Sequence, residues 1–128
     1  MNWNLLGLVM AGGALGAAGR HLLGGWMVRH AGNGMPWGTL AVNLIGSFAA
    51  GFLFAWLENR GPSALYWRAF LIVGVLGALT TYSALMLECL LYSRTGRGGA
   101  LMAYLGLTLF AGFALVWFGA RLGDLLRA

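Results

Sequence analysis

Four long apolar runs, separated by short segments that carry most of the charged residues, dominate the pattern of the chain. The second run, 38–57, is uncharged throughout, and the third is uncharged over residues 69–87. A helix needs about 20 apolar residues to cross the hydrocarbon core of a bilayer. The pattern therefore predicts one four-span membrane domain over residues 1–128, with helices at approximately 4–27, 38–57, 69–92 and 98–121.

The composition agrees with an all-α membrane protein. Of the 128 residues, 60% are hydrophobic and 9% are charged, whereas charged residues make up about 25% of an average soluble protein. Four crossings use nearly the whole chain, which excludes a soluble enzyme or a nucleic-acid-binding domain. The net charge of +5 comes from scattered arginines, so no nucleic-acid partner is expected, and the single cysteine excludes an internal disulfide.

The arginines are shared almost evenly between the two ends of the predicted helices. Such a balance lacks the excess of positive charge on one side that normally directs membrane insertion. The balance favours insertion in both orientations and pairing as an antiparallel dual-topology homodimer. The alternative is that loops this short carry too few charges for their distribution to indicate an orientation. One end holds Arg60, Arg68, Arg121 and Arg127, and the other holds Arg29, Arg94 and Arg97, with Arg20 if its side chain reaches that way.

Small residues within the spans predict close contacts between helices. Glycine lets two helix backbones approach each other where no hydrophobic force separates helix from lipid. The first span contains the GxxxG pair Gly12 and Gly16, and the later spans contain Gly74, Gly77, Gly106 and Gly112.

Polar side chains at membrane depth are costly, which makes them candidates for function. Asn43 lies in the second span, where it serves either an ion pathway or an interhelical hydrogen bond. In the third span, residues 80–83 carry four consecutive hydroxyl groups. Consecutive helical positions point all round the axis, so this run predicts a break in the third helix near the membrane midplane. Freed carbonyls at such a break can hold a small cation.

The remaining polar positions favour an anion as the transported species. Tyr104 and Thr108 share one face of the fourth span. Both hydroxyls could be donors along an ion pathway. Alternatively, Tyr104 anchors the helix at the membrane interface and the Thr108 hydroxyl bonds a carbonyl of its own helix. The three acids, Glu58, Glu88 and Asp124, are expected at the ends of spans, whereas carriers of cations need a carboxylate inside the membrane.

Three segments resemble the Fluc/CrcB family of fluoride channels. They are GALGAAGR at residues 13–20, GTLAVNLIGSFAAG at 38–51 and GVLGALTTYS at 74–83, and the likeness extends to length and span count. The resemblance implies a passive fluoride exporter, built as an antiparallel dual-topology homodimer with two pores and a central sodium ion. It also implies the plasma membrane of a prokaryote, which is the inner membrane in a Gram-negative cell.

The resemblance also implies roles for individual residues. Backbone carbonyls of Gly77 and Thr80 would hold the sodium ion, and Arg20 and Glu88 would lie in a vestibule or at a pore mouth. The fluoride pathway would include Asn43, Ser83, Tyr104 and Thr108. The chain departs from the family pattern TTFSxF, whose two phenylalanines line the pore, because Tyr82 and Leu85 stand at those positions.

The sequence leaves two other functions open. The first is a small dual-topology exporter of multidrug or guanidinium-type cations, which depends on a glutamate deep in the first span. Residues 3–19 contain no acid. The second is a noncatalytic assembly subunit of a larger membrane complex.

Overall fold

The computed structural model describes residues 2–32 and 34–127, which leaves Met1, Asn33 and Ala128 outside the described chain. The protein is helical, and four of its helical stretches are long and apolar enough to cross a membrane. The prediction of an all-α chain with four such stretches is confirmed. They are Trp3–Ala31, Trp37–Trp56, Ala64–Arg94 and Gly98–Arg127.

The first, second and fourth stretches are continuous α-helices, namely α1 (Trp3–Ala31), α2 (Trp37–Trp56) and α6 (Gly98–Arg127). The connections between the four stretches are short. These connections turn at residues with positive φ, including Gly61 at 84° before the third stretch and Gly96 at 72° after it. Such angles favour glycine because it has no Cβ atom.

The third stretch changes its helical form along its length. It begins as α3 (Ala64–Trp67), continues as a π-helix (Arg68–Leu76) and returns to the α form in α4 (Gly77–Leu79). After an interruption it resumes as α5 (Tyr82–Arg94). The sequence predicted the interruption after Gly77 but not the π-helix, a form that is rare and often found at functional sites.

Glycines bring pairs of helices into backbone contact. A Cβ atom on Gly12 would collide with the Phe70 carbonyl oxygen in the π-helix, and one on Gly16 would collide with that of Val75. The GxxxG pair of α1 therefore makes the close helix contact that the spacing predicts, and the structure shows that the third stretch is its partner.

A second glycine contact joins α2 to α6, and its residues differ from those expected. Gly51 lies against the Val116 carbonyl, whereas Gly119 and Gly123 lie against carbonyls of α2. The expectation for Gly106 was wrong within this subunit, because a Cβ atom there would meet no described atom within 4 Å. At Gly112 a Cβ atom would meet just one described atom, the Ser47 hydroxyl oxygen, at 3.6 Å.

The buried core is small and lies between α2, α5 and α6. Its members are apolar or aromatic, and Tyr104 is completely buried. Most other large apolar side chains are exposed, as on α6, where Phe110 and Phe113 are 81% and 75% exposed. This arrangement is expected where lipid or another subunit, rather than water, covers the helices. The core residues are Leu40, Leu85, Cys89, Tyr92 and Tyr104.

Candidate ion pathway

The interruption of the third stretch consists of two extended residues. Thr80 has φ −82° and ψ 154°, and Thr81 has φ −148° and ψ 118°. The Thr81 hydroxyl oxygen then caps α5 by accepting a hydrogen bond from the Ala84 amide at 3.2 Å. A threonine at this position starts the new helix because its side chain satisfies an amide that has no helical partner.

Asn43 of α2 bonds to the backbone at this interruption with both ends of its amide. Its Oδ1 atom accepts from the Thr81 amide at 2.7 Å, and its Nδ2 group donates to the Thr81 carbonyl at 3.1 Å. Both polar groups of an extended residue are thereby satisfied. Asn43 thus makes the interhelical hydrogen bond that the sequence left open, and one proton of its amide group remains for another acceptor.

The same contacts release two carbonyl groups. In a continuous helix the Thr81 amide would donate to Gly77 and the Ala84 amide would donate to Thr80. Here these amides donate instead to Asn43 and to the Thr81 side chain. The Gly77 and Thr80 carbonyls consequently lose their helical partners.

A groove of about 570 Å³ runs beside the interruption. Its walls differ in exposure, since Tyr82 is 74% exposed whereas Leu85 is 5% exposed and packs mainly in the core. It brings together six of the ten residues expected at the pathway, vestibule or sodium site, which are Asn43, Gly77, Thr80, Tyr82, Leu85 and Thr108.

Three hydroxyl groups in the groove donate to their own helices. Ser47, Thr80 and Thr108 each bond the carbonyl four residues earlier, at 2.7, 2.9 and 2.8 Å. A hydroxyl carries one proton, so each must rotate before it can donate to an ion. Ser83 lies outside the groove lining, with its hydroxyl 3.5 Å from that of Thr81.

Glu88 and Tyr104 lie together at a second place. The Glu88 carboxylate accepts from the Thr39 hydroxyl at 2.6 Å and from the Tyr104 hydroxyl at 2.5 Å. Glu88 lies six residues before the end of α5 at Arg94 and is partly exposed, so its expected place at the end of a span stays a prediction. Thr39 was not singled out, although it lies one turn before Asn43 on the same helix.

Two further cavities lie beside these residues. Glu88 and Thr39 line a cavity of about 480 Å³ together with Tyr92 and Arg97. Arg20 lines another, of about 290 Å³, with His21, Thr39 and Thr81 as neighbours. Arg20 therefore lines a cavity next to the interruption, to which its positive charge can attract anions.

A side-chain metal site is absent from residues 2–32 and 34–127, since they contain no cluster of three or more His, Cys, Asp or Glu residues. A cation at the interruption would need backbone oxygen ligands, and the Gly77 and Thr80 carbonyls are of this kind. Hard cations prefer oxygen donors, so these two groups suit sodium chemically.

Comparisons with known proteins cover nearly the whole chain. A family model described as "CrcB-like protein, Camphor Resistance (CrcB)" matches residues 7–120. A protein named fluoride-specific ion channel FluC from Xanthomonas euvesicatoria pv. vesicatoria (strain 85-10) is 54% identical over 126 residues, or 98% of this chain and 95% of the relative. The protein of that name from Thermus thermophilus is 43% identical over 119 residues, or 93% of each chain.

A third relative with the same name, from Xylella fastidiosa (strain 9a5c), is 52% identical over 121 residues, or 94% of this chain and 85% of its own. With four helices long and apolar enough to cross a membrane, the chain is a multi-pass membrane protein with bacterial relatives. The family predicted from the three sequence motifs is confirmed: the chain belongs to the CrcB family of fluoride-specific ion channels.

Proposed function

We propose that this chain forms a passive channel that exports fluoride from the cytoplasm. The observation that carries the proposal is the groove at the interrupted helix, where Asn43, Tyr82 and Thr108 meet beside two freed carbonyls. Family membership supports fluoride as the transported ion. The activity needs no chemical step, so the protein acts as a channel and not as an enzyme.

Selectivity for fluoride follows from the hydrogen-bond donors near the groove. Fluoride is small and strongly hydrated, so a pore must replace its water with convergent donors. The second amide proton of Asn43 and the exposed hydroxyls of Tyr82 and Ser83 supply such donors, and rotation of the Thr108 hydroxyl adds another. A negative membrane interior expels the anion with about 2.3 kcal/mol per 100 mV, so coupling to another ion is unnecessary.

The working unit is an antiparallel dual-topology homodimer. On one subunit the groove has one open side, and the neighbouring surface carries exposed rings, including Tyr82 and Phe113. A second copy in the opposite orientation would cover these rings and complete the walls. The even division of arginines between the two ends agrees with insertion in both orientations.

Sodium is the proposed structural ion of this dimer. The Gly77 and Thr80 carbonyls, together with the same groups of a second copy, would provide the oxygen ligands. When bound, sodium supplies a positive charge that links the two interrupted helices. The role of Asn43 and Thr81 is to keep the ligand carbonyls free by binding the amides that would otherwise occupy them.

Efflux from proteoliposomes tests the proposal. Purified protein in vesicles loaded with potassium fluoride should release fluoride when valinomycin lets potassium follow, and vesicles loaded with potassium chloride should retain chloride. Proton-coupled movement of an organic cation without fluoride efflux would contradict the proposal and favour the cation exporter. Absence of both activities in pure protein would instead favour an assembly subunit.

Orientation is tested separately with a cysteine at the exposed Ser63, in the loop between α2 and α3. In intact cells an impermeant maleimide should label about half of the Ser63→Cys protein, because half of the copies place this loop outside. The unsubstituted protein is the matched control, since its single cysteine, Cys89, is buried. Labelling of all or none of the copies would contradict dual topology.

A further inference from the structure

Tyr104 is held by two residues of α5 that lie one helical turn apart. Its hydroxyl donates to Glu88, and its ring meets the ring of Tyr92 edge to face, with centroids 6.1 Å apart and planes at 68°. Tyr104 is completely buried and Tyr92 is 6% exposed. The Tyr92 ring is therefore one of the buried contacts that surround the Tyr104 ring.

Tyr92 is itself fixed by the loop between α5 and α6. The guanidinium carbon of Arg97 lies 4.9 Å from the centroid of the Tyr92 ring, a cation–π contact. The Arg97 amide donates to the Tyr92 carbonyl at 2.8 Å, and the Thr95 hydroxyl donates to the same carbonyl at 3.3 Å. Gly96, with φ 72°, lets the loop turn back onto the helix.

These contacts form one continuous connection from the loop to the carboxylate, through Arg97, Tyr92, Tyr104 and Glu88. The contacts of Tyr92 are made by its ring and its backbone carbonyl. An edge-to-face pair needs a ring of defined position, which a flexible aliphatic side chain does not provide. The aromatic ring of Tyr92, and not its hydroxyl, is therefore the part that contacts Tyr104.

We propose that Tyr92 is a positioning residue for fluoride conduction. Held by Arg97, it fixes the Tyr104 ring so that the Tyr104 hydroxyl stays directed at Glu88 beside Thr39. The inference rests on the proposed fluoride channel and assigns it a residue that does not itself touch the ion. Without the ring, the Tyr104 hydroxyl samples other directions, and the Glu88 carboxylate, which lines the cavity of about 480 Å³, is held by this donor only part of the time.

The test compares Tyr92→Leu with Tyr92→Phe in fluoride efflux from proteoliposomes. Because an edge-to-face pair contributes modestly, Tyr92→Leu should slow fluoride efflux about threefold to tenfold. The matched control Tyr92→Phe, which keeps the ring, should conduct like the unsubstituted protein. Equal rates for Tyr92→Leu and the unsubstituted protein would overturn the inference while leaving the channel intact.

A double substitution separates positioning from a loss of packing. If Tyr92 acts through the Tyr104 hydroxyl, Tyr92→Leu should cause no further loss of flux in a Tyr104→Phe background. Independent losses that multiply would overturn the inference. If Tyr92→Leu does not fold, as judged by its gel-filtration profile, Arg97→Gln replaces it and should slow efflux only when Tyr104 keeps its hydroxyl. If the unsubstituted protein releases no fluoride, the proposed function itself fails.

Discussion

Asn43 and Thr81 exchange two hydrogen bonds across 38 residues of sequence, with the Asn43 amide pairing to both polar groups of the Thr81 backbone. This pair holds α2 against the interruption of the third helical stretch. It also diverts the Thr81 amide from the Gly77 carbonyl. A single side chain thus stabilises the break, frees a possible ion ligand and retains one proton beside the groove.

Replacing Asn43 with aspartate should abolish fluoride efflux. The carboxylate cannot donate to the Thr81 carbonyl, so two acceptor oxygens would face each other, and its negative charge would repel fluoride in the groove. Efflux from proteoliposomes should fall to the rate of protein-free vesicles. Asn59→Asp is the matched control, because Asn59 lies in an exposed loop. Normal efflux through the Asn43→Asp protein would place this residue outside the pathway.

Leu85→Phe should preserve fluoride efflux per folded dimer while lowering thermal stability. The substitution restores the family ring beside the groove, but Leu85 is 5% exposed and packs in the core. Adding volume to a packed core costs about 1–3 kcal/mol. Thermal unfolding in detergent measures this cost.

The matched control for Leu85→Phe is Tyr82→Phe. Tyr82→Phe adds no volume and Tyr82 lies outside the subunit core, where it is 74% exposed, so this substitution should leave the unfolding temperature unchanged and the ring available to the ion. An unfolding temperature that falls equally in both variants would show that the subunit core is not the cause.

Gly119→Ala should disrupt the contact between α6 and α2. Its new Cβ atom would collide with the Phe48 carbonyl oxygen, and the two helices would have to separate at an overpacking cost of about 1–3 kcal/mol. The yield of monodisperse protein and its unfolding temperature should both fall. Gly106→Ala is the control on the same helix, where open space within the subunit predicts no loss. A larger loss at Gly106 than at Gly119 would refute this assignment of the contacts.

Sodium should stabilise the dimer through the carbonyls freed at the interruption. Replacing sodium with N-methyl-D-glucamine should lower the unfolding temperature of the detergent-solubilised protein. In Thr81→Val the Ala84 amide is released from the side chain and can bond the Thr80 carbonyl, so the sodium effect should shrink.

Thr95→Val makes the same chemical change in the loop after α5 and should keep the full sodium effect. If sodium stabilises the Thr81→Val protein as strongly as the unsubstituted one, the freed Thr80 carbonyl is not a ligand.

Local patterns in the sequence were enough to predict the helical architecture. Apolar runs of membrane length determine four long helices in any packing arrangement, because backbone polar groups must be satisfied within each helix. The four consecutive hydroxyls at 80–83 predicted the interruption because they cannot all face away from lipid. The motif order identified the family, since residue identities at fixed spacings do not depend on the packing.

The predicted site was only partly assembled by such local patterns. The spacing of Tyr104 and Thr108 places them on one face of α6, but the Tyr104 hydroxyl donates to Glu88 whereas the Thr108 hydroxyl donates to the Tyr104 carbonyl. Side-chain direction depends on neighbours from other helices, which no periodicity reports. The same reason explains why Thr39 was missed and why the packing glycines of α6 are Gly119 and Gly123.

The sequence by itself therefore determined the four membrane-length helical stretches, the place of the break and the family, because each follows from hydropathy, backbone satisfaction or motif order along one chain. Tertiary structure decided which amides at the break bond to side chains, which hydroxyls donate to Glu88 and which ring packs against that of Tyr104. Those choices join residues far apart in sequence, such as Thr39 and Glu88, which are 49 positions apart. Only the packing of α2 against α5 and α6 brings their atoms within hydrogen-bond distance.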